Sequence, residues 1–151
     1  LYDRFPVYKQ MRVMLRDIPQ VNAIKRLNTI RAISEKRSKP GAPGTPECFD
    51  PVLVRCNIPS DSYVGTSLEG LRVARVKVIF SLPEEISPCE TRLAYVEWFR
   101  PLRAVDATTK MHSITYAKHG GMTSAEIVPL DDIVQSIHLI PKFGATMDPS
   151  W

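Results

Sequence analysis

The sequence predicts a mainly β fold, a small and partly open barrel of about seven or eight short strands joined by long Pro/Gly-rich loops. Three observations lead there. Thirteen prolines fall mostly between apolar runs and leave no room for long helices. The segments between them are of strand length and rich in Val, Ile, Tyr and Phe. Several alternate apolar and polar residues with a period of two.

The first such segment is 7–15, where Val7, Met11, Val13 and Leu15 share one face and Gln10 and Arg12 take the other. The clearest is 72–80, with Ala74, Val76, Val78 and Phe80 inward and Arg75 and Lys77 outward. In 92–100, Glu97 marks the wet face, so Ala94, Val96 and Trp98 point inward while Tyr95 and Phe99 point out. Further strands are expected at 28–33, 52–56, 111–117, 126–130 and 136–140. The stretch 21–33 also carries Val21, Ile24, Leu27 and Ile30 at a three-residue spacing that a short helix would use.

Between the strands, residues 34–46 are too polar and too rich in Pro and Gly to bury anything, and a mobile loop is expected there. A second loop covers 57–70, and Lys118-His119-Gly120-Gly121 has the composition of a hairpin turn. Asp131 stands where it would cap a single helical turn, with Ile133 plugging the core behind it. The lengths and pattern fit one β-rich domain over residues 1–151. Its first residue is Leu1 and its last Trp151, and a fragment of a larger protein is expected.

Chemistry-bearing motifs are few. Neither phosphate-binding glycine motif occurs, and His112, His119 and His138 lack a second ligand at metal-site spacing, so neither a cofactor nor a metal is expected. Cys48, Cys56 and Cys89 form no C-x-x-C pair and are read as reduced, structural thiols. The paired acids Glu84-Glu85 and Asp131-Asp132 lie in turns, where capping and solvation account for them. A non-catalytic binding module is expected, and the absence of a 20-residue apolar run or a leader pattern places it inside the cell.

Charge is the stronger signal. Residues 1–40 hold ten Lys or Arg against three acids, whereas 41–151 hold ten against thirteen, so a net charge of +4 hides a basic N-terminal third. Lys9, Arg12, Arg16, Lys25, Arg26 and Arg31, with Lys36, Arg37 and Lys39 beyond them, are the candidate phosphate contacts. A second candidate surface is aromatic. Tyr95, Trp98, Phe99 and Tyr116 are expected at one barrel mouth, as a stacking face, a cation-binding cage or a protein interface. Core packing is the competing reading for Trp98.

Four blocks carry a resemblance: residues 73–83, 93–99, 127–133 and 136–144, the last reading Ser-Ile-His-Leu-Ile-Pro-Lys-Phe-Gly. They resemble the C-terminal region of fungal DNA-transposon proteins of the Plavaka and KDZ type. Val96-Glu97-Trp98-Phe99-Arg100-Pro101 and Val128-Pro129-Leu130-Asp131-Asp132-Ile133 are also similar to the pattern of bromo-adjacent homology (BAH) domains. The first resemblance implies a transposon-derived protein, and the second a BAH-like barrel acting in the nucleus on chromatin or DNA. The basic first strand and the Pro-rich loop lie outside the BAH pattern.

Overall fold

Val and Ile stiffen the backbone toward extended conformations, and where they recur every second residue they give a strand one apolar face. The computed structural model describes residues 4–15, 26–56, 63, 65–83, 85–87 and 92–141. Its strands are β1 (Val7–Tyr8), β2 (Gln10–Met14), β3 (Leu27–Ile33), β4 (Cys48–Phe49), β5 (Pro51–Arg55) and β6 (Leu71–Ser81). They continue as β7 (Arg92–Trp98), β8 (Lys118–His119), β9 (Met122–Thr123), β10 (Ala125–Pro129) and β11 (Ile133–Ser136). Among the described residues, seven strands have four residues or more, and none of those residues is α-helical. The predicted mainly β class is therefore what the chain adopts.

Antiparallel pairing gives the main sheet the order β10-β7-β6-β5-β11, and β2-β3-β4 forms a second sheet. Between them lies the principal core. Ile30 and Ala32 from β3 meet Val52 and Val54 from β5, Ala74, Val76 and Ile79 from β6, and Ala94, Val96 and Trp98 from β7. Val128 and Ile133 close this core, Ile133 in the plugging position expected of it.

Side chains stitch the two sheets where backbone ladders do not. Asn28 Nδ2 donates to Ser136 Oγ at 2.9 Å, and the Ser136 amide donates to Asn28 Oδ1 at 2.7 Å. The opposite side stays open. There β2, Ile79, Arg92 and the segment 129–131 line a groove of ≈ 870 Å³, so the sheets do not close into a full barrel.

The first predicted strand is in fact two. At Lys9 the chain leaves the main sheet, where β1 pairs with β6, and crosses to pair β2 with β3. Met11 and Val13 pack on the core as expected, but Val7 is 64% exposed because it precedes the crossing. Edge strands relieve themselves of strain and of free edges by such switches.

β6 also departs from strict alternation. Val76 pairs with Val96 and Val78 with Tyr95, so Lys77 is an extra residue, a β-bulge. Past it the inward set flips: Ile79 and Ser81 are buried, and Phe80 turns outward onto Phe5, at 6.3 Å between ring centroids. The bulge divides the strand's partners, with β5 on the N-terminal half and β1 on the C-terminal half.

Residues 111–117 form no strand, only the isolated bridges Val105↔His112 and Phe99↔Tyr116. The last strand sits at Ile133–Ser136 rather than 136–140, because a 3-10 turn over Leu130–Asp132 delivers the chain directly to β5. Asp131 lies in that turn, whose start has no side-chain cap. The Gly120-Gly121 turn joins β8 to β9, with φ of 57° and 83°, the pair of positive values that a tight hairpin loop of this kind demands.

Residues 34–46, where a mobile loop is expected, extend the β3–β4 hairpin. The pairs Ala32↔Phe49, Ile33↔Cys48, Lys36↔Thr45 and Lys39↔Ala42 keep one register to the turn at Pro40-Gly41. Reciprocal backbone hydrogen bonds of 2.9 to 3.0 Å join both outer pairs. A Cβ on Gly44 would lie 2.8 Å from the Lys36 carbonyl oxygen, so the two chains of this arm approach closely only because residue 44 is glycine.

Candidate nucleic-acid interface

Because Met11, Val13, Asn28, Ile30 and Ala32 face the core, their neighbours in β2 and β3 must face outward. That outer face carries Arg12 diagonal to Arg31, given the pairs Gln10↔Arg31 and Arg12↔Thr29. Lys9 at the crossing, Arg26 at the mouth of β3, and Lys36, Arg37 and Lys39 on the arm are all exposed. The sequence-predicted cations Arg16 and Lys25 lie outside the described residues.

Arg31 differs from the other cations. Its Nε and terminal nitrogen donate to the two oxygens of Asp50 at 3.0 and 2.9 Å, and its own amide donates to Asp50 Oδ2 at 2.8 Å. The hydrogen bond and the charge of Asp50 both raise the guanidinium pKa above its ordinary value. Arg31 is thus the anchor of the arm's base and contributes less free positive charge than Lys9 or Arg12. Asp50 also passes its carbonyl to the Val76 amide at 3.1 Å, which ties this base to the bulged part of β6.

The predicted aromatic mouth does not assemble as expected. Trp98 points into the core from β7, and its Nε1 donates to Glu126 Oε2 at 3.0 Å. Phe99, expected outside, is fully buried. The reason is a second, smaller core on the other face of the main sheet, where Leu53, Val73 and Phe99 lie beneath Leu68, Leu102, Ile114 and Leu139. Tyr116 stacks on Phe99 at 4.4 Å between centroids. Only Tyr95 remains outward, 39% exposed beside its cross-strand neighbour Ile127 at 54%.

The rings also have cations already. The Arg72 guanidinium lies 4.7 Å from the centre of the Trp98 ring, and its Nε donates to the Phe99 carbonyl at 3.0 Å. Arg75 sits 5.3 Å from the Tyr116 ring and 5.8 Å from Phe99. Trp98, Phe99 and Tyr116 thus each have one of the chain's own arginines against the ring. Burial raises the Tyr116 phenol above its ordinary pKa, against the opposing pull of Arg75, with Glu97 and Glu47 adding to the rise.

Other chemistry finds little support among the described residues. No group of three or more His, Cys, Asp or Glu side chains comes together to hold a metal. Burial pushes the Cys56 thiol up despite nearby Arg72, which lowers the thiolate fraction that a nucleophile needs. His112 Nδ1 lies 2.7 Å from the Arg103 carbonyl and packs edge-on against Tyr63, in a loop-bracing role. Among the described residues, no helix is long and apolar enough to cross a membrane.

Sequence reading did not find the groove of ≈ 700 Å³ beside the second core, lined by Leu53, Leu102, Ile114, Ile137 and Leu139 with His112 and His138 at its rim. Its floor includes Leu53 of β5, but most of its walls come from segments without ladders, so no periodicity announces them. The chain matches no protein-family model, no curated protein and no solved structure.

Proposed function

We propose that this chain is a non-catalytic docking module for duplex DNA, using the outer face of β2–β3 and the arm beyond it. One observation carries the reading. Over the described residues from 4 to 50, eight Lys or Arg stand against Glu35, Glu47 and Asp50, and Asp50 is already matched with Arg31. Six of the remaining cations, Lys9, Arg12, Arg26, Lys36, Arg37 and Lys39, are exposed on one ribbon and its extension. Such a stripe attracts phosphates, positions the protein on a duplex and carries little base preference by itself. Within this proposal the protein is transposon-derived, works in the nucleus, and meets DNA in chromatin, as its sequence resemblances imply.

The alternative, a protein-interaction face built on Tyr95 and Phe99, loses half of its patch to the second core. Tyr95 with Ile127 alone is a small apolar area. Scattered exposed apolar residues of this kind are normal on a protein surface.

Anisotropy of a labelled random-sequence duplex, titrated with the chain and with its Lys9→Ala/Arg12→Ala variant, tests the docking reading. Loss of two phosphate contacts should weaken binding at low salt by roughly ten-fold or more and flatten the salt dependence by about two units of slope. Both side chains are exposed, so the variant's unfolding midpoint should match that of the wild type. Equal affinity for the two proteins would overturn this assignment of the face.

A further inference from the structure

The arm is the feature that simple electrostatics does not explain, since a stripe of phosphate contacts needs no projecting hairpin. From Ser34 to Glu47 every residue is exposed and none belongs to either core, so the arm contributes nothing to packing. Polar hairpins with no packing role ordinarily shorten to a tight turn at the sheet, whereas this one runs on for seven residues a side, roughly 20 Å at about 3.3 Å per residue. Several features order it. Register is kept to the tip, Gly44 admits a close cross-chain approach, and Pro40, Pro43 and Pro46 limit the backbone. The Arg31–Asp50 fork fixes its base.

Charge is distributed along it with a direction. Glu35 and Glu47 flank the base, while Lys36, Arg37 and Lys39 stand beyond them toward the tip, with no acid between residues 36 and 46. A two-stranded ribbon with a cationic end has a defined complement in nucleic acid. The major groove of B-DNA is about 12 Å wide and 8.5 Å deep, admits a two-stranded β-ribbon, and is walled by phosphates on both sides.

We propose that the β3–β4 arm enters the major groove of duplex DNA, with Lys36, Arg37 and Lys39 meeting the phosphates of its walls and the Pro40-Gly41 turn leading. This rests on the docking reading above and adds to it the element that enters the groove. The arm's length exceeds the groove's depth, so its tip reaches the base edges while its acidic base stays clear of the backbone. Ser38, two residues from the turn, is the arm's hydroxyl nearest those edges.

The test uses the full chain, a variant with Lys36→Ser, Arg37→Ser and Lys39→Ser, and the Lys9→Ala/Arg12→Ala variant. Duplex affinity and dimethyl sulfate protection of guanine N7, which lies in the major groove, are read for each. The wild type should protect N7, and the arm variant should lose that protection and bind roughly a hundred-fold more weakly at low salt, with a salt slope lower by about three. Its thermal midpoint should not move, because the arm is outside both cores. Undiminished affinity and protection in the arm variant, with binding lost in the Lys9/Arg12 variant, would overturn the arm's role and leave the docking reading standing. No DNA binding by the wild type would overturn both. Poly-glutamate displacing the duplex while N7 stays unprotected would assign the arm to an acidic polypeptide and reject groove entry.

Discussion

Phe99→Ala is expected to cost about 3–5 kcal/mol of unfolding free energy, the range for removing a fully buried aromatic ring from a core. The ring has no exposed surface, stacks on Tyr116 and supports Leu53 and Val73, so its loss opens a cavity beneath the 102–116 segment. It also removes one of the two rings beneath Arg75, whose buried Nε has no hydrogen-bond partner. That guanidinium would then rest on Tyr116 alone, and part of its cation–π attraction would go with the ring. Urea denaturation followed by circular dichroism measures the effect. A loss below about 1 kcal/mol would mean that the ring is exposed in solution and that the outer aromatic face exists after all.

Trp98→Ala should match it in size through different contacts. Trp98 lies in the principal core opposite Ala74, and Arg72 covers its ring. Truncation removes the largest side chain of that core and a cation–π contact of about 0.5–2 kcal/mol. Trp98→Phe separates these parts. It keeps most of the buried area and gives up the Nε1 hydrogen bond, whose acceptor Glu126 is exposed and turns to water, so a cost of only about 1 kcal/mol is expected. If Trp98→Phe destabilised the chain as much as Trp98→Ala, the indole would be held by its hydrogen bond rather than by packing. Neither residue touches the proposed DNA face, so folded protein of either variant should retain duplex affinity.

Much of the fold was legible because period-two patterning is a local signal. The segments 28–33, 52–56 and 72–80 each lie within a residue or so of β3, β5 and β6, and Trp98 faces the core as its alternation with Glu97 requires. Where patterning misled, a non-local event intervened. The bulge at Lys77 inverts the faces of β6, and no property of Lys77 itself marks it as the extra residue. The crossing at Lys9 exposes Val7 because the partner strand changes, which a one-dimensional pattern cannot encode.

The misplacement of Phe99 has the same origin. Alternation places Phe99 correctly on the side of Tyr95 and Glu97, but that side is not wet along its whole length. At the end near Val73 it is roofed by Leu102, Ile114 and Leu139, which belong to segments with no ladder. The basic face was more readable, since charge excess needs no topology. Its organisation was not: the arm's ladder runs through Pro and Gly residues that ordinarily terminate strands, and the pairing of Arg31 with Asp50 joins β3 to the link between β4 and β5.

Six exposed cations, Arg12 on β2, Lys9 and Arg26 beside β2 and β3, and Lys36, Arg37 and Lys39 on the arm, are proposed to neutralise DNA phosphates, and counterion release makes the proposal quantitative. Duplex affinity of the wild-type chain, measured by anisotropy from 50 to 200 mM salt, should fall about a thousand-fold, a log–log slope of roughly −5 for six contacts. A slope near zero, or no binding at the lowest salt, would contradict the account.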